Sequence, residues 1–288
     1  MADTPSLVAD AVAPNARLHL VSRERRPGRA LADGLPDRLA APDPDVAGAT
    51  ALNGNKADCA HCNLRPSCLP HGLTIPELEH IDGRLVMVRR KVAQGEALFR
   101  AGDRFDALFE IWTGFFKTLI TTNQGREQVT GFQMGGELLG LDGIAAGRHD
   151  VDAIALETSQ VCVIPYAELE ALAGEVPALQ RQLHRLMSRE IVTDHGVMLH
   201  LGSMHAEERV AAFLLNLTDR LFARGFSASA LVLRMSREEI GSYLGLTLET
   251  VSRTFSKFQA AGLLFVRQRN IRITDPAGLR HLLDDVTV

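Results

Sequence analysis

The spacing of apolar positions changes character along this chain, and each change marks a new element. From about Leu85 to Pro165, short runs of Val, Leu, Phe and Ile are broken by glycines at Gly95, Gly102, Gly114, Gly125, Gly131 and the Gly135-Gly136 pair. That rhythm predicts short strands joined by turns, in a small antiparallel roll or sandwich. From Pro177 the period lengthens: Leu183, Met187, Ile191, Val197, Met198 and Leu201 recur every three or four residues, which predicts one long amphipathic helix over 177–203. Further helical segments follow, and Phe265 to Thr274 alternates as a hairpin does.

Ahead of the roll the pattern is different. Residues 1–55 show no sustained period, are rich in Ala, Pro, Asp and Arg, and hold six of the twelve prolines, which predicts a disordered extension. A cysteine-bearing segment follows, and Ile75 to Ile81 predicts a short amphipathic helix within it. The expected organisation is therefore an extension (1–55), a cysteine segment with its helix (56–84), a β-roll (85–176), a long helix (177–203) and a C-terminal helical domain with a hairpin (204–288). The fold class is α+β.

Within the last domain, the run from Met235 to Phe255 predicts two helices around one tight turn. Ser236 is placed to cap the first, with Glu239 three residues on as a capping box requires. Gly245 suits the left-handed residue that ends it, and Thr247 suits the cap of the second. On the second helix Val251, Phe255 and Phe258 form the apolar face, while Glu249, Ser252, Arg253 and Ser256 fall opposite. A recognition helix needs that division, because one face anchors and the other meets base edges. Arginine can bridge guanine O6 and N7, and glutamate can accept from cytosine N4. Arg267, Arg269 and Arg272 in the hairpin would supply phosphate contacts from a wing. The alternative is a solvated Glu249–Arg253 ion pair on an ordinary surface helix.

Composition adds limits. The chain has 288 residues, 46% hydrophobic and 23% charged, enough to bury a real core. No apolar run approaches the ~20 residues that cross a bilayer, and the N-terminus lacks a secretory signal, so a cytoplasmic location is expected. A net charge of −4 excludes a uniformly basic coat but not a local DNA-binding patch. Four cysteines occur, Cys59, Cys62, Cys68 and Cys162, three of them in one short segment. Such spacing points to metal ligands or redox groups rather than a disulfide framework. Three thiolates on a loop with a distant fourth suit an iron-sulfur cluster. A structural zinc site, with His61 or His71 as a ligand, fits the spacing about as well.

From about Cys59 to Leu282 the sequence resembles the FNR branch of the cAMP receptor protein family. The resemblance is carried by Cys59-x2-Cys62-x5-Cys68, by Cys162 within Glu-Thr-Ser-Gln-Val-Cys-Val-Ile-Pro, by Glu127-Gln-Val-Thr-Gly-Phe, by Ala206-Glu-Glu-Arg-Val-Ala-Ala-Phe, and by Ile240-Gly-Ser-Tyr-Leu-Gly-Leu-Thr-Leu-Glu-Thr-Val-Ser-Arg. It implies a roll of the nucleotide-binding type, a dimer helix and a winged helix-turn-helix. It also implies a [4Fe-4S] cluster on Cys59, Cys62, Cys68 and Cys162 that oxygen destroys. Glu249, Ser252 and Arg253 would read a TTGAT-like inverted repeat in double-stranded DNA. The homodimer would form along Met187, Ile191, Asp194, Met198 and Leu201, with Asp194 penalising the dimer until the cluster is present. Contacts with RNA polymerase, activation or repression of anaerobic genes, and no enzymatic activity complete the expectation. Arg126, in the loop Thr121 to Glu127 that resembles a polymerase-contacting loop, stands where an acidic residue is familiar.

Two other effector readings meet obstacles in the residues. A cyclic-nucleotide site of this family uses an Arg-Ser pair where this chain has Asp150 and Val151, and an aspartate repels phosphate. A cupin-type metalloenzyme needs two or three inward histidines, yet His149 is the only histidine between His80 and His184. Haem sensing on the same scaffold stays open.

Overall fold

A computed structural model describes residues 59, 61, 62, 64, 67–86 and 88–283. The expected extension, residues 1–55, lies outside the described residues. Helix α1, Ile75–Ile81, has the predicted bounds, and its start is fixed by Glu77 Oε2, which accepts the Thr74 N–H at 2.7 Å. Its apolar side chains, Leu78 and Ile81, are buried.

Eight strands then form the roll: β1 (Val88–Val92), β2 (Ala97–Phe99), β3 (Ala107–Thr113), β4 (Phe115–Thr121), β5 (Glu127–Met134), β6 (Leu138–Leu139), β7 (Asp152–Ala155) and β8 (Ser159–Pro165). They pair antiparallel into two four-stranded sheets, ordered β1-β8-β3-β6 and β2-β7-β4-β5. Val92, Ile111, Leu139 and Val161 from the first sheet meet Leu98, Phe99, Phe116, Ala153 and Ala155 from the second in one core. Gly131 departs from expectation: it marks no turn but lies inside β5. Thr118 pairs Gly131 while Leu119 pairs Val129, so Thr130 is the extra residue of a bulge. A side chain at Gly131 would collide with the amide of Gln133 and with Thr118 Oγ1.

Helix α2 (Tyr166–Glu175) was not foreseen, because its buried residues, Leu169, Leu172 and Ala173, make too short a stripe to stand out. Helix α3 runs Pro177–Ser203, the predicted bounds, with Pro177 in its first turn where a missing N–H costs nothing. Its 27 residues span roughly 40 Å. Leu179 and Leu183 in its first two turns are buried with Leu69, Leu73, Leu78, Ile81, Leu108 and Ile164. The cysteine segment, the roll and the root of the long helix thus share one apolar cluster.

The remainder is a winged helix: α4 (Ala206–Phe222), β9 (Ala230–Val232), α5 (Arg237–Leu244), α6 (Leu248–Ala260), β10 (Leu264–Arg267), β11 (Asn270–Ile273) and α7 (Pro276–His281). The expected hairpin is β10 and β11, and β9 adds a third strand in the order β10-β11-β9. Val210, Leu214, Ile240, Val251, Phe255 and Phe258 form its core, which continues into Phe115, Val129, Phe132 and Met134 of the roll. Polar ties cross the same junction: Lys117 Nζ to Glu239 Oε1 at 2.7 Å, and Glu137 to both Arg220 and Arg224. No helix among the described residues is long and apolar enough to cross a membrane.

Candidate metal centre and nucleic-acid interface

One cavity is lined by all four cysteines, together with Leu64, Pro70, Val86, Arg89, Glu110, Ile111 and Trp112. Its construction is simple. Cys59, Cys62 and Cys68 come from the segment before α1, and that segment is anchored by Leu69, which is fully buried in the apolar cluster beneath it. Cys162 comes from the middle of β8, the central strand of its sheet, where Arg89 of β1 and Glu110 of β3 face it across the ladder on either side. The segment is brought to β8 by packing, since Leu69 and Leu73 share one apolar cluster with Leu108 and Ile164 of the roll. None of the four thiols is in a disulfide. Among the described residues, no three His, Cys, Asp or Glu side chains converge on one point as ligands of a single ion would. His61 and His71 are exposed and neither lines the cavity.

The electrostatics of the cavity oppose free thiolates. Burial, then the neighbouring Cys162 and Glu110, pushes the Cys59 thiol up to about 12. Cys68 is pushed up further, first by burial and then by Glu110. Burial also raises Cys162, against the hydrogen bond and positive charge of Arg89, which lower it. Glu110 itself is raised to about 7 by burial. Such thiols ionise when a metal cation binds them, because the coordinate bond and the cation's charge replace lost hydration. Four thiols without a histidine are the donor types that an iron-sulfur group takes.

Glu110 and Arg89 were not anticipated. Glu110 gave a signal in hindsight, as a carboxylate inside the apolar run Leu-Phe-Glu-Ile-Trp of β3. Arg89 gave none, since a basic residue in β1 reads as a solvated strand position. Its guanidinium lies over the Trp112 ring at 4.0 Å.

The nucleotide-type end of the roll is closed upon itself. Asp142 Oδ2 accepts the backbone N–H groups of Asp150 at 2.7 Å and Val151 at 3.3 Å, which puts a second carboxylate at these positions. His149 is buried and stacked on Phe99 with ring centroids 3.7 Å apart. It packs as a core side chain.

The helix-turn-helix has its expected local chemistry. Ser236 Oγ accepts from Glu239 N at 3.1 Å, and Glu239 Oε2 accepts from Ser236 N at 2.7 Å. Gly245 sits at φ 63 and ends α5. Thr247 Oγ1 accepts from Thr250 N at 3.2 Å to start α6. Val251, Phe255 and Phe258 are buried, whereas Glu249 and Arg253 are exposed and Ser252 is half-buried. Thr254 joins the buried face, its hydroxyl donating to the Thr250 carbonyl four residues back. In the wing, exposed Arg272 alternates with buried Ile271 and Ile273 on β11, and Arg267, on β10, is exposed and pairs with Asn270. Arg269 lies in the two-residue turn and donates to the Arg234 carbonyl at 3.3 Å. Of these six residues Glu249, Arg253, Arg267, Arg269 and Arg272 are exposed and Ser252 is half-buried.

On α3, Met187 is half-buried against the cluster that includes Cys59 and Cys162. Ile191, Met198 and Leu201 are exposed at 55%, 59% and 38%. Asp194 is exposed among them. The Glu190 carboxyl, one turn earlier, is raised by partial desolvation and then by the charges of Asp194 and Glu137, with Arg220 opposing.

The molecule has recognisable kin. Residues 208–282 match the Crp-like helix-turn-helix domain, and residues 89–175 match the cyclic nucleotide-binding domain. The chain is 45% identical over 232 residues to the transcriptional regulatory protein btr of Bordetella pertussis, covering 81% of this chain and 96% of that one. It is 47% identical over 220 residues to the transcriptional activator protein anr of Pseudomonas aeruginosa, covering 76% and 90%. It is 42% identical over 224 residues to the fumarate and nitrate reduction regulatory protein of Escherichia coli, covering 78% and 89%. Among solved structures, FixK2 from Bradyrhizobium japonicum superposes with a TM-score of 0.63 at 31% identity, covering 68% of this chain and 96% of that one.

Proposed function

The chain belongs to the CRP/FNR family of transcription regulators, DNA-binding proteins that act as dimers, and from that premise we propose that it senses oxygen through a [4Fe-4S] cluster. The observation that carries the reading is the single cavity lined by Cys59, Cys62, Cys68 and Cys162. When bound, the cluster supplies a group that is stable without air and broken down by oxygen. The thiols hold it, and the apolar wall of Ile111, Val86 and Trp112 limits water around it.

The chain's own packing supplies the route to DNA. Leu69 and Leu73, next to the cysteines, share an apolar cluster with Leu183 and Met187 at the root of α3, so a change in the loop bears directly on the dimer helix. Further along α3, two Asp194 carboxylates brought to about 5 Å across a twofold axis repel by roughly 3 kcal/mol at an effective dielectric near 20. That is about two decades in dimer affinity. The cluster-bound loop favours the dimer against this brake. Dimerisation then spaces two recognition helices on the half-sites of a TTGAT-like inverted repeat. Glu249, Ser252 and Arg253 read base edges there, while Arg267, Arg269 and Arg272 meet phosphates. Contact with RNA polymerase completes the reading, although in the 121–127 turn Arg126, whose Nη2 donates to Gln124 Oε1 at 3.0 Å, puts a positive charge where the resemblance implies an acidic residue. The protein works in the cytoplasm on genes of anaerobic metabolism.

Iron and acid-labile sulfide analysis of the protein purified without air tests the cofactor. About four of each per chain, with a broad sulfur-to-iron absorption band, is the expected result. A colourless protein with one zinc per chain would replace the cluster by a structural site.

A further inference from the structure

The cysteine site is made of two pieces of chain, three thiols on the 59–68 segment and one on β8, and Glu110 touches both. On β3 it stands directly across the ladder from Cys162, and opposite side chains on neighbouring strands lie on one face. Its Oε2 accepts the backbone N–H of Leu69, the residue after Cys68, at 3.2 Å. Glu110 is 4% exposed and its carboxyl also meets the Cys68 thiol, while Oε1 has no partner although it is buried beside the same cavity. A buried carboxyl with an unmet oxygen costs stability that an apolar side chain would not. Some property of the side chain, either its reach or its charge, sets against that cost.

We infer that Glu110 is a positioning residue, whose reach pins the Cys68-Leu69 end of the loop to the strands that present Cys162. Arg89 flanks Cys162 from the other side, on β1, and stacks on Trp112 rather than holding the loop. The two halves of the thiol set therefore face one cavity. The inference rests on the cluster reading only for the second of its two measurements.

Two variants separate reach from charge. Glu110→Gln keeps the length and an acceptor oxygen, whereas Glu110→Asp keeps the charge and falls one methylene short of Leu69. Hydrogen exchange on the iron-free full chain reads the bond directly. The Leu69 amide should exchange about five- to tenfold faster in Glu110→Asp, the loss of one hydrogen bond, and near the parent rate in Glu110→Gln. Amides of β3 and β8 should be unchanged in both. In anaerobically reconstituted protein, a ferrous chelator should strip iron several-fold faster from Glu110→Asp alone. Parent-like Leu69 exchange in Glu110→Asp would overturn the inference, as would impairment confined to Glu110→Gln, which would assign the role to charge. Faster exchange spread across β3 and β8 would also overturn it, by showing a loosened sheet rather than a released loop. If the parent itself takes up no iron and sulfide, the cluster reading fails, while the exchange comparison still decides what Glu110 does.

Discussion

The cysteine cavity and the helix-turn-helix are built on opposite principles. The helix-turn-helix is assembled from neighbours in sequence: Ser236 and Glu239 close one helix start, Gly245 ends that helix, and Thr247 opens the next, all within twelve residues. The cavity joins the 59–68 segment to Cys162 on β8, and its polar walls, Arg89 and Glu110, sit beside Cys162 in register on two further strands. One site exposes its working groups and the other hides them. A surface that must meet DNA tolerates local construction, whereas a site that must control access to a reactive group needs the depth that only non-local pairing provides. Substitutions should therefore act all-or-none in the cavity and by increments on the recognition helix.

The sharpest form of that contrast is ligand removal. Replacing any one of Cys59, Cys62, Cys68 or Cys162 by Ala should abolish stable cluster assembly, as seen in iron and sulfide content after anaerobic reconstitution. Full content in Cys162→Ala would break the link between the sheet and the loop. Next in size is Asp194→Ala, which should raise dimer affinity by about two decades in the cluster-free state. Ultracentrifugation of parent and variant in air would show it, and two equally monomeric proteins would place the brake elsewhere on α3.

On the recognition helix, Arg253→Ala should cost roughly 1–3 kcal/mol on the specific site and relax discrimination at one guanine. Arg269→Ala should instead weaken all sequences alike and flatten the salt dependence. Binding to matched and altered half-sites over a range of salt separates base reading from phosphate contact, and uniform losses for Arg253→Ala would reduce it to a helix-positioning contact.

The smallest effect belongs to the support behind the cavity. Glu175, at the end of α2, pairs with Arg84 and His80 around α1, which together hold its carboxyl down at about 2. A depressed carboxylate contributes stability that is complete above its ordinary 4.5 and is lost as pH falls through about 2. Glu175→Gln should thus lower the melting temperature slightly at neutral pH, and the gap from the parent should narrow as pH drops from 4.5 towards 2. A constant gap would mean that the pair contributes through packing alone.

How far the sequence could be read follows from the same contrast. Helix α3 and the first helix of the turn motif were legible to their ends and the second helix at its start, because Pro177, Ser236, Gly245 and Thr247 are local punctuation. The roll was legible as strands but not as register. Gly131 looked like a turn because a glycine between apolar runs gives no sign of the partner strand that demands it. Strand β9 is three residues long with one buried side chain, too brief to alternate visibly. All four cysteines could be named as candidates, yet nothing in the sequence puts Arg89 and Glu110 beside them. That placement exists only once β8 lies between β1 and β3.

In the proposed function, the state of the four-cysteine site decides whether the exposed helix meets DNA. That dependence is tested most directly by titrating the anaerobic protein into a labelled duplex carrying a TTGAT-like inverted repeat, then admitting air to the same sample while following both colour and binding. Operator binding should fall in step with the iron-sulfur absorbance, and non-specific binding should not. Tight operator binding that persists after the colour has gone would contradict it.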